Sequence, residues 1–342
     1  MREMTRDAHT WLHRSAAMLL AAVVLVCLSG ACRNSGAATE TVAAQNQTQP
    51  IQPPEKNAED FDPKPDTPPA MKVSGEQAFK TLKEFVALGP RYLGSDGHTK
   101  AEQYIVSHLE GAQVEQDRFN ARTVIGDFPM DNIIGKFPGK KDGVIVIAGH
   151  YDTNYPLKDT SFIGANDGGS NVGLMLEIAT QLRKHPPEGY SVWLLFTDGE
   201  EAMKDWTNED SVYGSKHLAQ RWLKDGTAVK VKAFLLLDMI GDKDLHLEND
   251  TNSTPWLAEV VRRAGARVGQ QSHFSSRSNP IQDDHLPFRA VGIPVADLID
   301  LDYGFDNIYH HTTQDTPDKC SAASLQVVGE IVMETVRALN TR

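Results

Sequence analysis

The sequence of 342 residues is short of cysteine, of basic charge and of long apolar runs, and each shortage removes a class of protein. Cys27, Cys32 and Cys320 are its only cysteines, too few for a disulfide-stapled scaffold. Cys320 has no activating neighbour in the sequence and reads as a semi-buried structural thiol rather than a nucleophile. The 34 basic residues are outnumbered by 46 acidic ones, and the formal charge of -12 opposes contact with phosphate backbones. No nucleic-acid partner is expected. The longest apolar run, Ala16 to Leu28, falls short of the ~20 residues a spanning helix needs. There is no internal repeat and no recognisable second domain, so a monomer is expected. The 40% of hydrophobic residues is enough to fill a sizeable core.

What is present begins with an export signal over residues 1–32: Arg2, Arg6 and Arg14 precede the apolar run, and small residues follow it. This implies export from a bacterial-type cell. The run ends in Leu28-Ser29-Gly30-Ala31-Cys32, similar to a bacterial lipoprotein processing site, with Leu28 one place further from the cysteine than is commonest. Cleavage there would leave a lipid anchor on Cys32, so a periplasmic, membrane-anchored lipoprotein and a freely secreted protein both stand. Residues 33–71 are rich in Ala, Gln, Thr, Asn and Pro and poor in large apolar side chains, and are expected to form a disordered tether. A single catalytic domain is expected over 72–342.

Within it, Ser74 and Gln77 suit the start of a helix carrying Ala78, Leu82, Phe85 and Val86 on one face, ended by Gly89-Pro90. A second helix fits Thr99 to Leu109. Apolar runs then alternate with helical patterns, and Val144–Ile147 and Val192–Phe196 are apolar on both faces, as interior strands are when helices cover each side. Pro294 to Ile299 supplies another strand and Ala322 to Leu339 a closing helix. The fold class is α/β, with a central, mostly parallel mixed sheet flanked by helices.

Metal-binding residue types sit just past the strand ends, where ligands of open α/β sheets gather. They are His150 and Asp152, then Glu200 and Glu201, then Asp238. Asp167 lies in the loop Gly164-Ala165-Asn166-Asp167-Gly168-Gly169 before a helix, and His311 in a polar loop before the last one, with Asp315 four residues on. Imidazoles and carboxylates drawn from separate segments suit zinc.

That ordered set resembles the M28 zinc peptidases from about Ser74 to the C-terminus, and the resemblance implies their fold. In two-zinc members the matching positions His150, Asp167, Glu201, Asp238 and His311 hold metal and Glu200 is the general base, which implies an aminopeptidase. Three further segments are similar to the glutaminyl cyclases, which share the fold: Trp206 following Gly199-Glu200-Glu201-Ala202, the stretch Asp210 to Ala219, and Ile281-Gln282-Asp283-Asp284-His285-Leu286-Pro287-Phe288. The cyclase resemblance implies one zinc ion on Asp167, Glu201 and His311, proton transfer by Glu200, and Asp238 and Asp283 completing the catalytic acids. It gives Trp206, Gln282 and His310 to substrate binding and leaves His150 as a second-metal ligand or a supporting residue. The sequence departs at His310, where animal cyclases carry tryptophan. His311 is preferred over His310 as ligand from its spacing to Asp315.

The implied reaction converts the N-terminal glutamine of a peptide or protein to pyroglutamate with release of ammonia. Amine and amide belong to one residue, so proximity is built in, and the rate should rise as the α-amine, of reference pKa about 7.7–8.0, loses its proton. A zinc aminopeptidase and an inactive exported binding domain are the competing readings.

Overall fold

The structure, a computed structural model, describes residues 56–342. The export signal, Cys32 and most of the tether lie outside the described residues. Helices α1 (Gly75–Val86) and α2 (Asp96–His108) lead into a hairpin of β1 (Gln113–Thr123) and β2 (Gly126–Phe137). There follow β3 (Lys141–His150), α3 (Gly169–Lys184), β4 (Tyr190–Thr197), α4 (Tyr213–Asp225), β5 (Val231–Asp238), β6 (Leu247–Asp250) and α5 (Pro255–Arg267). The chain closes with β7 (Phe274–Asn279), α6 (His285–Ala290), β8 (Val295–Ile299) and α7 (Ala322–Leu339).

The main sheet runs β1-β2-β4-β3-β5-β8. Its β4-β3-β5-β8 half is parallel, and the hairpin adds antiparallel strands at one edge. Alternate residues of the parallel strands enter two cores. Ile145, Ile147, Leu194, Leu235 and Leu237 pack under α1, α3 and α7. Val144, Val146, Leu195, Phe234 and Leu236 pack under α4 and α6, against Leu218, Trp222 and Phe288. Burial on both faces is why these strands read as continuous apolar runs. Ser74 caps α1 by accepting the N–H of Gln77, as expected, and α7 occupies the predicted span.

One expectation needs correction and one element was not expected. Residues 56–71, assigned to the tether, are packed in place: Ala58 and Phe61 are buried, Phe61 stacks on Trp256 at 5.1 Å, and Asp62 pairs with Arg263 and Arg267. Ala70 and Met71 also lie against the core, so the packed domain starts before residue 72. These few apolar residues are too widely spaced to show a period, yet each finds a groove on the domain. The unexpected element is the hairpin, which sequence periodicity missed because its buried positions include Asp117, Asp131 and Asn132, so polar and apolar residues do not alternate cleanly.

Candidate metal and acid site

The parallel strands deliver their functional residues to one edge. His150 is the last residue of β3, Asp238 the last of β5, and Glu200 and Glu201 follow the end of β4. Asp167 immediately precedes the turn into α3, where Gly168 has φ 75°; a Cβ there would lie 2.9 Å from the Asp152 carbonyl and 3.0 Å from the His150 ring. Only glycine lets the two loops approach so closely.

His311 Nε2 lies 3.2 Å from Asp167 Oδ2 and 3.2 Å from Glu201 Oε1. Both oxygens are buried and make no sound hydrogen bond among the described residues. A tetrahedral zinc with bonds of 2.0–2.1 Å sets neighbouring ligand atoms about 3.3 Å apart, so each imidazole–carboxylate spacing fits a shared cation. His310 also brings a ring nitrogen within 4.8 Å of the Asp167 and His311 donors, but its Nδ1 already faces Asn307 Nδ2 at 3.1 Å. Asp167 uses its other oxygen toward His150, whose Nε2 is 3.2 Å from both Asp167 Oδ1 and Asp238 Oδ1. One carboxylate therefore joins two candidate metal-binding groups.

Behind these groups lies a run of buried acids. Glu200 Oε2 is 3.8 Å from His150 Nδ1, and burial, reinforced by Asp283, Glu201 and Asp284 and opposed by His150, holds the Glu200 carboxyl well above its usual range. Burial is the larger cause; like-charge repulsion adds to it. Asp283 is raised in the same way, first by burial and then by Asp238 and Asp284. A cleft of about 440 Å³ between α4 and α6 reaches Asp283 and is lined by Trp206, Gln282, Val212, Leu286 and Pro287. Trp206 is 40% exposed, a wall of the cleft rather than part of a core.

The site is held by groups that touch its backbone. Asp152 accepts the N–H of Glu200 at 3.1 Å and of Glu201 at 3.2 Å, one on each oxygen. Asp315 does the same for Asn166 at 2.8 Å and Asp167 at 3.2 Å, and accepts the Tyr303 hydroxyl at 2.8 Å. Asn154 donates to Glu201 Oε2 at 2.8 Å, which leaves Oε1 to face His311. Arg91, fully enclosed, donates to the carbonyls of Tyr151, Ile163 and Gly164 at 2.6–2.9 Å and so ties the loop after β3 to the loop carrying Asp167. Its positive charge sits beneath the acids, and burial lowers its pKa to about 10. His311, Met239 and Val212 all have positive φ, and such strain in non-glycine residues concentrates where function fixes the backbone.

Residues 132–336 match the model of peptidase family M28. The chain is 30% identical over 256 residues to the glutaminyl-peptide cyclotransferase of Drosophila melanogaster, covering 67% of this chain and 70% of that protein. The chain belongs to peptidase family M28 and, within it, to the glutaminyl-peptide cyclotransferases. Among solved structures, the glutaminyl cyclase of an Acidobacteriales bacterium is 48% identical with a TM-score of 0.79, covering 82% of this chain and 99% of that one. A leucine aminopeptidase precursor from Bacteroides thetaiotaomicron is 25% identical with a TM-score of 0.70, covering 80% and 98%.

In this M28 chain the residues singled out in the sequence fall into two neighbouring sets, a metal and acid cluster and a cleft joined to it at Asp283. Asp167, Glu201 and His311 meet, Glu200, Asp238 and Asp283 lie among the buried acids, and Trp206 and Gln282 share the cleft. His310 stands beside His311, with ring centroids 4.0 Å apart. His150 sits centrally rather than at the margin, touching four carboxylates. Sequence reasoning missed Arg91 and Asn154, which carry no motif signal because they act through backbone carbonyls and one carboxylate oxygen. Cys320 is fully buried and its thiol pKa is pushed well up, first by burial, in keeping with a structural role.

Proposed function

We propose that this chain is a zinc-dependent glutaminyl-peptide cyclotransferase, an acyltransferase that closes the N-terminal glutamine of peptides or proteins into pyroglutamate with release of ammonia. Asp167, Glu201 and His311 would hold one zinc ion, and the two orphaned carboxylate oxygens facing one ring nitrogen support that assignment. Bound there, zinc supplies Lewis acidity toward the glutamine side-chain carbonyl. The carrying observation is that Trp206, Gln282 and Asp283, from the segments similar to cyclases, line one cleft, and that Asp283 in turn acts on the buried Glu200.

Glu200 takes a proton from the α-amine and returns it to the departing amide nitrogen, a role suited to a carboxyl held well above its usual range. Asp283 sustains that raised range directly, and Asp238 acts through its effect on Asp283. Trp206 covers the glutamine side chain and keeps water from the carbonyl, while Gln282 and His310 contact the peptide. Export, as a lipoprotein or in free form, and action as a monomer complete the proposal.

A second reading has an observation of its own: His150, Asp167 and Asp238 gather donors within 4.8 Å, enough for a second ion and aminopeptidase chemistry. Mass spectrometry of a peptide with N-terminal glutamine separates the two. Cyclisation removes 17 mass units as ammonia from an intact chain, whereas the peptidase removes the first residue. Glu200→Gln should slow cyclisation by about 10²–10⁴-fold with zinc retained. Release of free glutamine together with two zinc ions per chain would refute the cyclase reading.

A further inference from the structure

The segment that carries Gln282 and Asp283 ends in a histidine that no step above uses. His285 is fully enclosed at the start of α6, with Nε2 3.3 Å from Asp250 Oδ2 and Nδ1 3.6 Å from Asp297 Oδ2. The two acids stand at opposite nitrogens of the ring, and neither contact meets hydrogen-bond geometry, so the ring acts by its placement between them. The ring spans from the end of β6 to β8 as a strut.

Asp250 is also the anchor of the catalytic segment. Its Oδ1 accepts the N–H of Ile281 at 2.9 Å and of Asn252 at 2.8 Å, its Oδ2 accepts the Ser253 hydroxyl at 2.8 Å, and Asn252 Nδ2 donates to the Ile281 carbonyl at 2.7 Å. Ser253 Oγ in turn accepts the N–H of Asp297 at 3.0 Å. The backbone just before Gln282 is thus gripped on both sides, by Asp250 at the Ile281 N–H and by Asn252 at its carbonyl, and the His285 ring lies against Asp250. Asp283 Oδ1 is capped by the N–H of Asp284, and Phe288, stacked on Phe234 at 4.3 Å, locks the far side of the helix. The chain leaves Asp250 at Ile281, presents Gln282 and Asp283 to the cleft, and returns to Asp250 through His285.

We propose that His285 is a positioning residue which, through Asp250 and Asp297, fixes the 281–285 segment so that Asp283 and Gln282 are held at the cleft. This rests on the reading of Asp283 as a working acid, and the test separates the two. His285→Gln, which reaches only one of the two acids, and Asp250→Asn are compared with wild type for kcat, KM, zinc content, thermal midpoint and hydrogen exchange at the Ile281 amide. The expected result is a kcat lower by about ten- to a hundredfold, as when a distant change misplaces a reacting group, with KM and zinc content unchanged and faster Ile281 exchange. The double variant should be no worse than the poorer single one, because both changes break the same circuit. Wild-type kcat in His285→Gln, losses that follow the thermal midpoint alone, or a metal ion lost from His285→Gln would each overturn it. If wild type does not cyclise glutamine, the function fails, while Ile281 exchange still reports on the strut.

Discussion

His311 and His285 are both imidazoles set between two carboxylates, and the difference in how they meet them separates two kinds of chemistry. At His311 both acids point at the same nitrogen, Nε2, each 3.2 Å away. At His285 they stand at opposite nitrogens, at 3.3 and 3.6 Å. The acids at His311 converge on one nitrogen, whereas those at His285 flank the ring, which braces them, although one donor from each of Asp250, His285 and Asp297 also lies within 4.8 Å of the others. Composition cannot tell these apart, since both are one His and two acids in the interior. His98 belongs with the braces, with Asp198 at 2.7 Å from Nε2 and Glu102 at 3.4 Å from Nδ1. His150 has converging acids at each end, Asp167 and Asp238 at Nε2, Asp152 and Glu200 at Nδ1, which is why it stands between the two classes.

The largest effect should come from breaking the convergent member. His311→Ala is expected to lose zinc and to lower cyclisation by about 10³-fold or more, since the Lewis acid contributes several kcal/mol to the transition state. His285→Gln should keep its zinc. Elemental analysis of both proteins beside the peptide assay checks the contrast; zinc retained at wild-type affinity in His311→Ala would move the ligand role to His310.

The convergent site was far more legible in the sequence than the braces, for a physical reason. The proposed ligands and acids His150, Glu200, Glu201 and Asp238 sit at or just past strand ends and so follow apolar runs that are themselves conspicuous, while Asp167 opens the turn into α3. The parallel half of the sheet was readable for the same reason, being buried on both faces. Braces act through long-range contacts that leave no local pattern. Arg91 serves carbonyls 60 and more residues away, and Asp250 meets Ile281 from another strand. The β1–β2 hairpin was hidden likewise, since Asp131 and Asn132 are buried where a strand pattern calls for apolar residues.

The His98 brace should show itself as a dependence of stability on pH. Burial lowers the His98 pKa, but Asp198, and after it Glu102, outweigh that and raise it from 6.5 to about 9. The folded state therefore binds this proton more tightly than the unfolded chain. The stabilisation is complete below pH 6.5 and is lost as pH rises through 9. The difference corresponds to about 3 kcal/mol. Urea unfolding of wild type and His98→Gln at pH 6 and pH 10 should show a gap of that order at pH 6 that closes at pH 10. An equal gap at both values would mean that His98 acts by packing on Tyr151, whose ring lies 5.3 Å away, and not by charge.

The smallest expected effect probes what keeps the His311 site convergent. Asn154 Nδ2 donates to Glu201 Oε2 and also lies 3.5 Å from His311 Nε2, leaving Glu201 Oε1 to face the proposed zinc position. In Asn154→Ala that carboxylate can rotate, and both of its oxygens compete for the position facing His311. Zinc should bind about tenfold more weakly, at the low end of the cost of losing an outer partner. The residues proposed to move protons and cover the glutamine are untouched, so kcat at saturating zinc should return to the wild-type value. Chelator competition gives the affinity and a zinc titration of activity gives the recovery. A kcat that stays low at saturating zinc would place Asn154 in contact with the reacting groups, and convergence at His311 would then rest on Asp152 and Asp315, which clamp the backbone of Glu201 and Asp167.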